Sequence, residues 1–166
     1  MRQHFIAACN ANDIIPKYMQ SQNYQPQNSV ATLSNAMDVG NPSNFIRILE
    51  LFNNEFLSLK EKLSSVSISD DETKTTIKSV KQAFNYLLDP HGAVGYLALD
   101  KYLNEHPNQK GFFIETAHPV KFYDVVEPVI EEKISLPASV KEIMNKEKYA
   151  IKIKADYSLL KEFLLL

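Results

Sequence analysis

Apolar residues are grouped along the chain in a repeating order: a short run, a polar turn, then a stretch with helical spacing. The first run, Phe5-Ile6-Ala7-Ala8-Cys9, is continuous and not alternating, which predicts a strand buried on both faces. It passes through Asn10-Ala11-Asn12-Asp13 into an apolar stretch from Ile14 to Gln20, read as a helix. A polar loop over residues 21–29 leads to the brief run 30–33 and then to Ser34-Asn35-Ala36-Met37-Asp38-Val39-Gly40-Asn41. Pro42 suits the first turn of a helix with Asn41 as its cap, and Phe45, Ile46, Leu49 and Phe52 recur at helical spacing. Phe56, Leu59 and Leu63 continue that pattern.

A third unit opens on Ser69-Asp70-Asp71-Glu72, the Ser-x-x-Glu form of a capping box, with Ile77, Val80 and Phe84 as the apolar face behind it. Tyr86-Leu87-Leu88 predicts a short strand, and Asp89-Pro90-His91-Gly92 turns into a helix from Ala93 to Tyr102. The fourth unit is a strand Gly111-Phe112-Phe113-Ile114, the turn Glu115-Thr116-Ala117-His118 and a helix opening at Pro119, with a kink or break expected at Pro128. In the tail, Leu136-Pro137 opens a helix through Met144, residues 149–155 alternate weakly, and Asp156 caps a last helix ending at Leu164-Leu165-Leu166. Strands that alternate with helices predict an α/β fold, part of a mainly parallel sheet with flanking helices.

In such sheets ligands bind beyond the carboxyl ends of the strands. Four polar clusters take those positions: Asn10/Asn12/Asp13, Ser34/Asn35/Asp38, Asp89/His91 and Glu115/Thr116/His118. Several precede helix starts, whose free N–H groups suit phosphate, although Asn, Asp, Ser and Thr also favour caps and turns for their own sake. The two histidines fit either acid–base work or a structural hydrogen bond, and they are not at metal-motif spacing.

Composition narrows the picture further. The 166 residues are 45% hydrophobic and 23% charged, with a formal net charge of -2, so nothing favours nucleic acid as a partner. No apolar run approaches a membrane span, and the single cysteine, Cys9, excludes an internal disulfide framework. A cytoplasmic protein is the expectation, with Cys9 a buried small residue and not a nucleophile. No GxSxG, Walker loop or GxGxxG occurs.

The strings Phe5-Ile6-Ala7-Ala8-Cys9-Asn10-Ala11-Asn12-Asp13, Ser34-Asn35-Ala36-Met37-Asp38-Val39-Gly40-Asn41-Pro42-Ser43-Asn44-Phe45, Asp70-Asp71-Glu72-Thr73, Asp89-Pro90-His91-Gly92-Ala93-Val94-Gly95-Tyr96 and Glu115-Thr116-Ala117-His118-Pro119-Val120-Lys121-Phe122 closely resemble, in order, the bacterial and fungal threonine synthases. The resemblance runs from about Phe5 to Leu136 and loosens beyond. It implies the C-terminal part of a fold type II pyridoxal-phosphate (PLP) enzyme, a lyase that converts O-phospho-L-homoserine and water to L-threonine and phosphate.

Carried over by position, Thr116 would hydrogen-bond the pyridine nitrogen of PLP. Asp89, His91 and Gly92 match a turn near the cofactor ring. Asn35, Asp38, Ser43 and Asn44 match a loop and helix start that would meet the substrate; Lys121 and Arg47 are weaker candidates for phosphate. The family's Schiff-base lysine and its glycine-rich loop have no counterpart here, so no catalytic residue and no metal ligand is expected within the chain.

The chain alone is therefore expected to be an inactive fragment without PLP. Its expected partner is the missing N-terminal part of the enzyme, with self-association through the cut sheet edge as a second expectation. Residues 1–135 would belong to the PLP-binding α/β domain and 136–166 to a C-terminal helical extension. The alternative reading is a non-catalytic binding or interaction module that reuses this part of the fold.

Overall fold

The computed structural model describes residues 3–144 and 146–165; Leu166, which the sequence places at the end of the last helix, lies outside them. Strand β1 (Phe5–Cys9) leads to helix α1 (Ile14–Ser21), a 3-10 turn (Asn35–Met37), α2 (Phe45–Leu51), α3 (Phe56–Lys60), strand β2 (Leu63–Ser67), α4 (Asp70–Phe84) and α5 (Pro90–Glu105). A second 3-10 turn (Pro119–Phe122), α6 (Tyr123–Ile130), α7 (Ala138–Met144) and α8 (Tyr157–Leu164) complete the order. No helix among the described residues is long and apolar enough to cross a membrane.

The two strands pair in parallel, Phe5 opposite Leu63 and Cys9 opposite Ser67, with α1 to α3 in the crossover. The sheet is thus parallel and helix-flanked as expected, but its strands differ from the sequence pattern. Leu63 falls at helical spacing from Phe56 and Leu59, yet it opens β2. Lys62 already bonds β1 through its carbonyl, which accepts from the Phe5 amide at 2.8 Å, and Ser65 Oγ donates to the Ala7 carbonyl at 2.9 Å. Pairing with β1 overrides a periodicity that three serines do little to support.

The runs 30–33, 86–88 and 111–114, read as strands, join no ladder. Among the described residues none of them makes a backbone–backbone hydrogen bond, and a strand exists only through its partner. Nor is β1 buried on both faces: Phe5 is 61% exposed and Ala8 is also exposed, because β2 is the only strand beside it among the described residues.

Helix boundaries follow local chemistry. The capping box at α4 forms: Glu72 N–H donates to Ser69 Oγ, and the Ser69 amide donates to Glu72 Oε2 at 2.8 Å. α5 starts at Pro90, three residues before its expected start, because Asp89 caps it by accepting from the His91 amide. The helix expected from Pro42 begins only at Phe45, as residues 42–44 form a turn first. Pro128 sits inside α6 without ending it, and the helix closes at Glu131 in the left-handed conformation. α7 and α8 lie where the tail pattern puts them, α8 with Asp156 as its cap.

Two apolar clusters hold the part of the chain up to Ile134. One joins Ile77 and Val80 of α4, Leu88, Ala93 of α5, Phe122 and Val126 of α6. The other joins Tyr18 and Met19 of α1, Phe45, Leu59 and Leu63 under the crossover, with the Tyr18 ring edge-on to Phe45 at 5.2 Å and to Phe56 at 5.7 Å. The chain divides after Ile134, and the residues from Ser135 onward form a separate unit.

Candidate active-site turns

Where β1 ends, a polar network forms. Asn10 and Asn12 are buried, and the Asn10 side-chain amide donates to Thr32 Oγ1 and Ser34 Oγ, both at 2.9 Å, and to Asp38 Oδ1 at 3.1 Å. Asn10 Oδ1 accepts from the Asn12 amide at 2.9 Å, and Asn12 in turn clasps Val30, accepting from its N–H at 2.8 Å and donating to its carbonyl at 3.0 Å. The carboxylate of Asp38 takes Thr32 Oγ1 on one oxygen at 2.6 Å and the Thr32 amide on the other at 3.0 Å. From the first turn of α4, just past β2, Asp70 Oδ1 accepts from the Leu33 amide at 3.1 Å.

The loop 30–38 is thus pinned across the carboxyl ends of both strands, and the first two polar clusters of the sequence form one structure. Asp38 is committed to holding that loop. Asn35, Ser43 and Asn44 are exposed, and neither Ser34 nor Asn44 caps its neighbouring helical turn through its side chain. Gly40 closes the loop: its carbonyl accepts from the Gln27 amide at 2.9 Å, and a Cβ there would run into the Gln27 carbonyl.

The other two clusters also meet. Asp89 is 1% exposed; its Oδ1 accepts from the His91 amide and from His91 Nδ1, each at 2.8 Å. The Asp89 amide donates to Glu115 Oε1 at 2.8 Å, and Tyr86 O–H donates to Glu115 Oε2 at 2.8 Å. Burial works against the Asp89 charge, but hydrogen bonds from the His91 ring and amide, with help from the Gly92 amide, outweigh it and hold the carboxyl below the usual carboxylate range. Burial pushes the Glu115 carboxyl up in spite of the donors from Asp89 and Tyr86, and hydrogen bonding to Glu115 raises the Tyr86 phenol.

Because a carboxylate only accepts, the ring nitrogen facing Asp89 is the donor. His91 Nε2 and Asp89 Oδ2 are buried without a hydrogen-bond partner among the described residues. The His91 ring also leans on Phe122 at 4.8 Å. Gly92 has no room for a side chain, since a Cβ would lie 2.7 Å from Glu115 Oε1.

Thr116 is exposed and its hydroxyl has no partner among the described residues. His118 accepts from the Val120 amide at 3.1 Å and so caps the turn at Pro119. Lys121 and Arg47 are exposed, and among the described residues no His/Cys/Asp/Glu group could hold a metal ion. Cys9 is half-buried, and burial raises its thiol to about 11, which makes it inert at neutral pH. Tyr86 was legible only as a strand residue: its contact with Glu115 spans 29 positions, and no local pattern signals it.

Known proteins resemble this chain closely. The family profile "Threonine synthase, C-terminal" matches residues 92–164. A threonine synthase of Buchnera aphidicola subsp. Schizaphis graminum is 42% identical over 163 residues, which is 98% of this chain and 37% of that protein. That of Escherichia coli strain K12 is 37% identical over the same shares of each. The crystal structure of the Escherichia coli threonine synthase superposes with a TM-score of 0.85 at 36% identity, over 98% of this chain and 37% of that one. A PLP-bound threonine synthase from Brucella melitensis does so with a TM-score of 0.78 at 25% identity, over 98% of this chain and 40% of that one. The chain spans about 37% of the length of the curated relatives it matches. With sequence and fold agreeing over nearly its whole length, it belongs to the threonine synthase family and corresponds to that family's C-terminal part.

Proposed function

We propose that this chain is the C-terminal share of a cytoplasmic threonine synthase, a fold type II PLP lyase that converts O-phospho-L-homoserine and water to L-threonine and phosphate. The observation that carries the reading is the likeness to threonine synthases over 98% of the chain, one of them described as PLP-bound. No observation favours a module without catalysis. Residues 1–135 would belong to the PLP-binding α/β domain and 136–166 to a helical extension of it.

The residues present suit such a cofactor. Thr116 has a free hydroxyl to offer the pyridine nitrogen, and a neutral donor there orients the ring without adding charge. Asp89 holds the His91 ring by its Nδ1 edge and leaves Nε2 for a group from outside, a buried atom that otherwise lacks a partner. Gly92, with no Cβ, lets Glu115 reach the Asp89 amide and lock this turn. Asp38 positions the loop that carries Asn35, while Ser43 and Asn44 present side chains before α2 that have no partner among the described residues; these four would border the substrate. When bound, PLP acts as the electron sink that lets protons be moved on the substrate while phosphate departs and water adds. The lysine that binds it covalently would come from outside this chain.

The test is phosphate release from O-phospho-L-homoserine with added PLP. This chain would be assayed alone and co-expressed with the segment of the Escherichia coli enzyme that precedes the matched region. Activity is expected only in the complex, and Thr116→Val should lower it by about tenfold or more, the loss of one hydrogen bond to a charged or polarised group. Turnover by the chain alone would overturn the assignment of the lysine to another segment. An inactive complex that retains PLP would overturn the enzyme reading.

A further inference from the structure

The unit that begins at Ser135 buries nothing: no described residue in it falls below the exposure of a half-buried side chain. Within it, the alternation over residues 148–154 is interrupted on one side by Ala150 but still separates two faces. Tyr149, Ile151 and Ile153 share one parity and are 85%, 52% and 45% exposed; Lys148, Lys152 and Lys154 share the other. Residues two apart lie on one face of a strand, whereas a helix would scatter them around its axis.

The backbone over residues 147–153 belongs to no helix or ladder and makes no backbone–backbone hydrogen bond among the described residues. An extended row of free N–H and C=O groups beside an apolar face is what an edge strand offers to another sheet. α8 follows with Leu159, Leu160 and Phe163 41%, 44% and 42% exposed, so the unit supplies no cover of its own.

Two facts indicate what covers it. The superposition on the Escherichia coli threonine synthase extends over 98% of this chain and so reaches into this unit, and the chain accounts for 37% of that structure. A second copy is a poor occupant, because pairing two such segments sets rows of lysine against each other along their shared edge.

We propose that residues 147–155 form a strand that pairs with a sheet edge in the part of a threonine synthase outside this chain. Tyr149, Ile151 and Ile153 lie against that part, and the three lysines stay in water. The proposal rests on the family reading above, and its test is separable from the test of activity.

The chain is co-expressed with the segment of the Escherichia coli enzyme that precedes the matched region, so that neither has to fold by itself. Amide hydrogen exchange is then compared between the chain alone and the purified complex. Exchange over 147–155 should slow by about tenfold or more in the complex. Ile151→Asp with Ile153→Asp should weaken association by about tenfold or more, while Lys152→Ala with Lys154→Ala should change it by less than about threefold. These positions are exposed and lie outside both apolar clusters, so far-UV circular dichroism of either variant should match the parent.

A complex in which these amides exchange as fast as in the free chain overturns the proposal, as does failure to form any complex. Protection that appears with anionic phospholipid vesicles alone, or that rises with chain concentration in the absence of the partner, also overturns it, in favour of a membrane or a second copy. A complex with a protected tail and no phosphate release would refute the enzyme reading and leave this strand standing. Activity with an unprotected tail would do the reverse.

Discussion

At α4 one side chain does two jobs. Glu72 closes the capping box and also receives Lys101 Nζ at 2.6 Å, across to α5. The hydrogen bond from Lys101, then those from the Ser69 amide and hydroxyl, bring its carboxyl down to about 2 from an ordinary 4.5. A depressed carboxyl stabilises the fold above its unfolded value and loses that contribution as pH falls from about 4.5 toward 2. Glu72→Gln keeps a side chain able to complete the box but removes the charge. The midpoint of thermal unfolding of this variant should therefore change less between pH 6 and pH 3 than that of the parent. Glu115 works in the opposite sense: its carboxyl is raised by burial, so its protonated form is the one the fold favours, and its contribution is lost as pH rises through that raised value. An equal pH response in parent and Glu72→Gln would show that Glu72 does not govern the acid limb.

The loop and helix ends show how far local sequence reaches. Ser69 and Glu72, Asp89 before α5, and Asp156 before α8 all cap as their residue types dictate, because a cap depends on atoms within three positions. The loop 30–40 is different, held by Asn10, Asn12 and Asp70 from elsewhere in the chain. Its closure depends on Gly40, where a Cβ has no space against the Gln27 backbone. Gly40→Ala should destabilise the chain by about 1–3 kcal/mol, the usual range for forcing volume into a packed site, and should raise amide exchange over 27–40. Unchanged exchange there would mean that the loop closes without this contact. The SNAMDVGNPSNF string was legible as a family signature, but nothing local revealed that Asp38 turns inward while Asn35 stays exposed.

For the part of the molecule up to Ile134, two separate clusters share the burial, one around Ile77 and one around Tyr18. Ile77→Val and Leu63→Val each remove or reshape one buried branch, at a cost of about 1 kcal/mol apiece. Since the two residues belong to different clusters, the double variant should lose the sum in denaturant unfolding. A large departure from additivity would show that the clusters act as one core. The same scale explains the strands that failed to appear. Residues 86–88 and 111–114 have the composition of strands, and Phe112 and Ile114 stand 86% and 73% exposed, but a ladder needs a second strand and none lies beside them among the described residues.

By itself the sequence determined the family, the capped helix starts at Ser69 and Asp156, and the polar residues gathered where β1 ends. These are properties of short strings, in which neighbours along the chain are also neighbours in space. Only the tertiary structure decided that Leu63 opens a strand and not a helical turn, that Asn10 and Asp38 lock one loop, and that Tyr86 and Glu115 brace the Asp89–His91 turn. Each of these joins residues 26 to 58 positions apart or more loosely bound to local propensity, as with Asp89 and Glu115 at a separation of 26 and Ser65 and Ala7 at 58. Hydrogen bonds and ladders at that range are selected by packing, which no periodicity along the chain encodes.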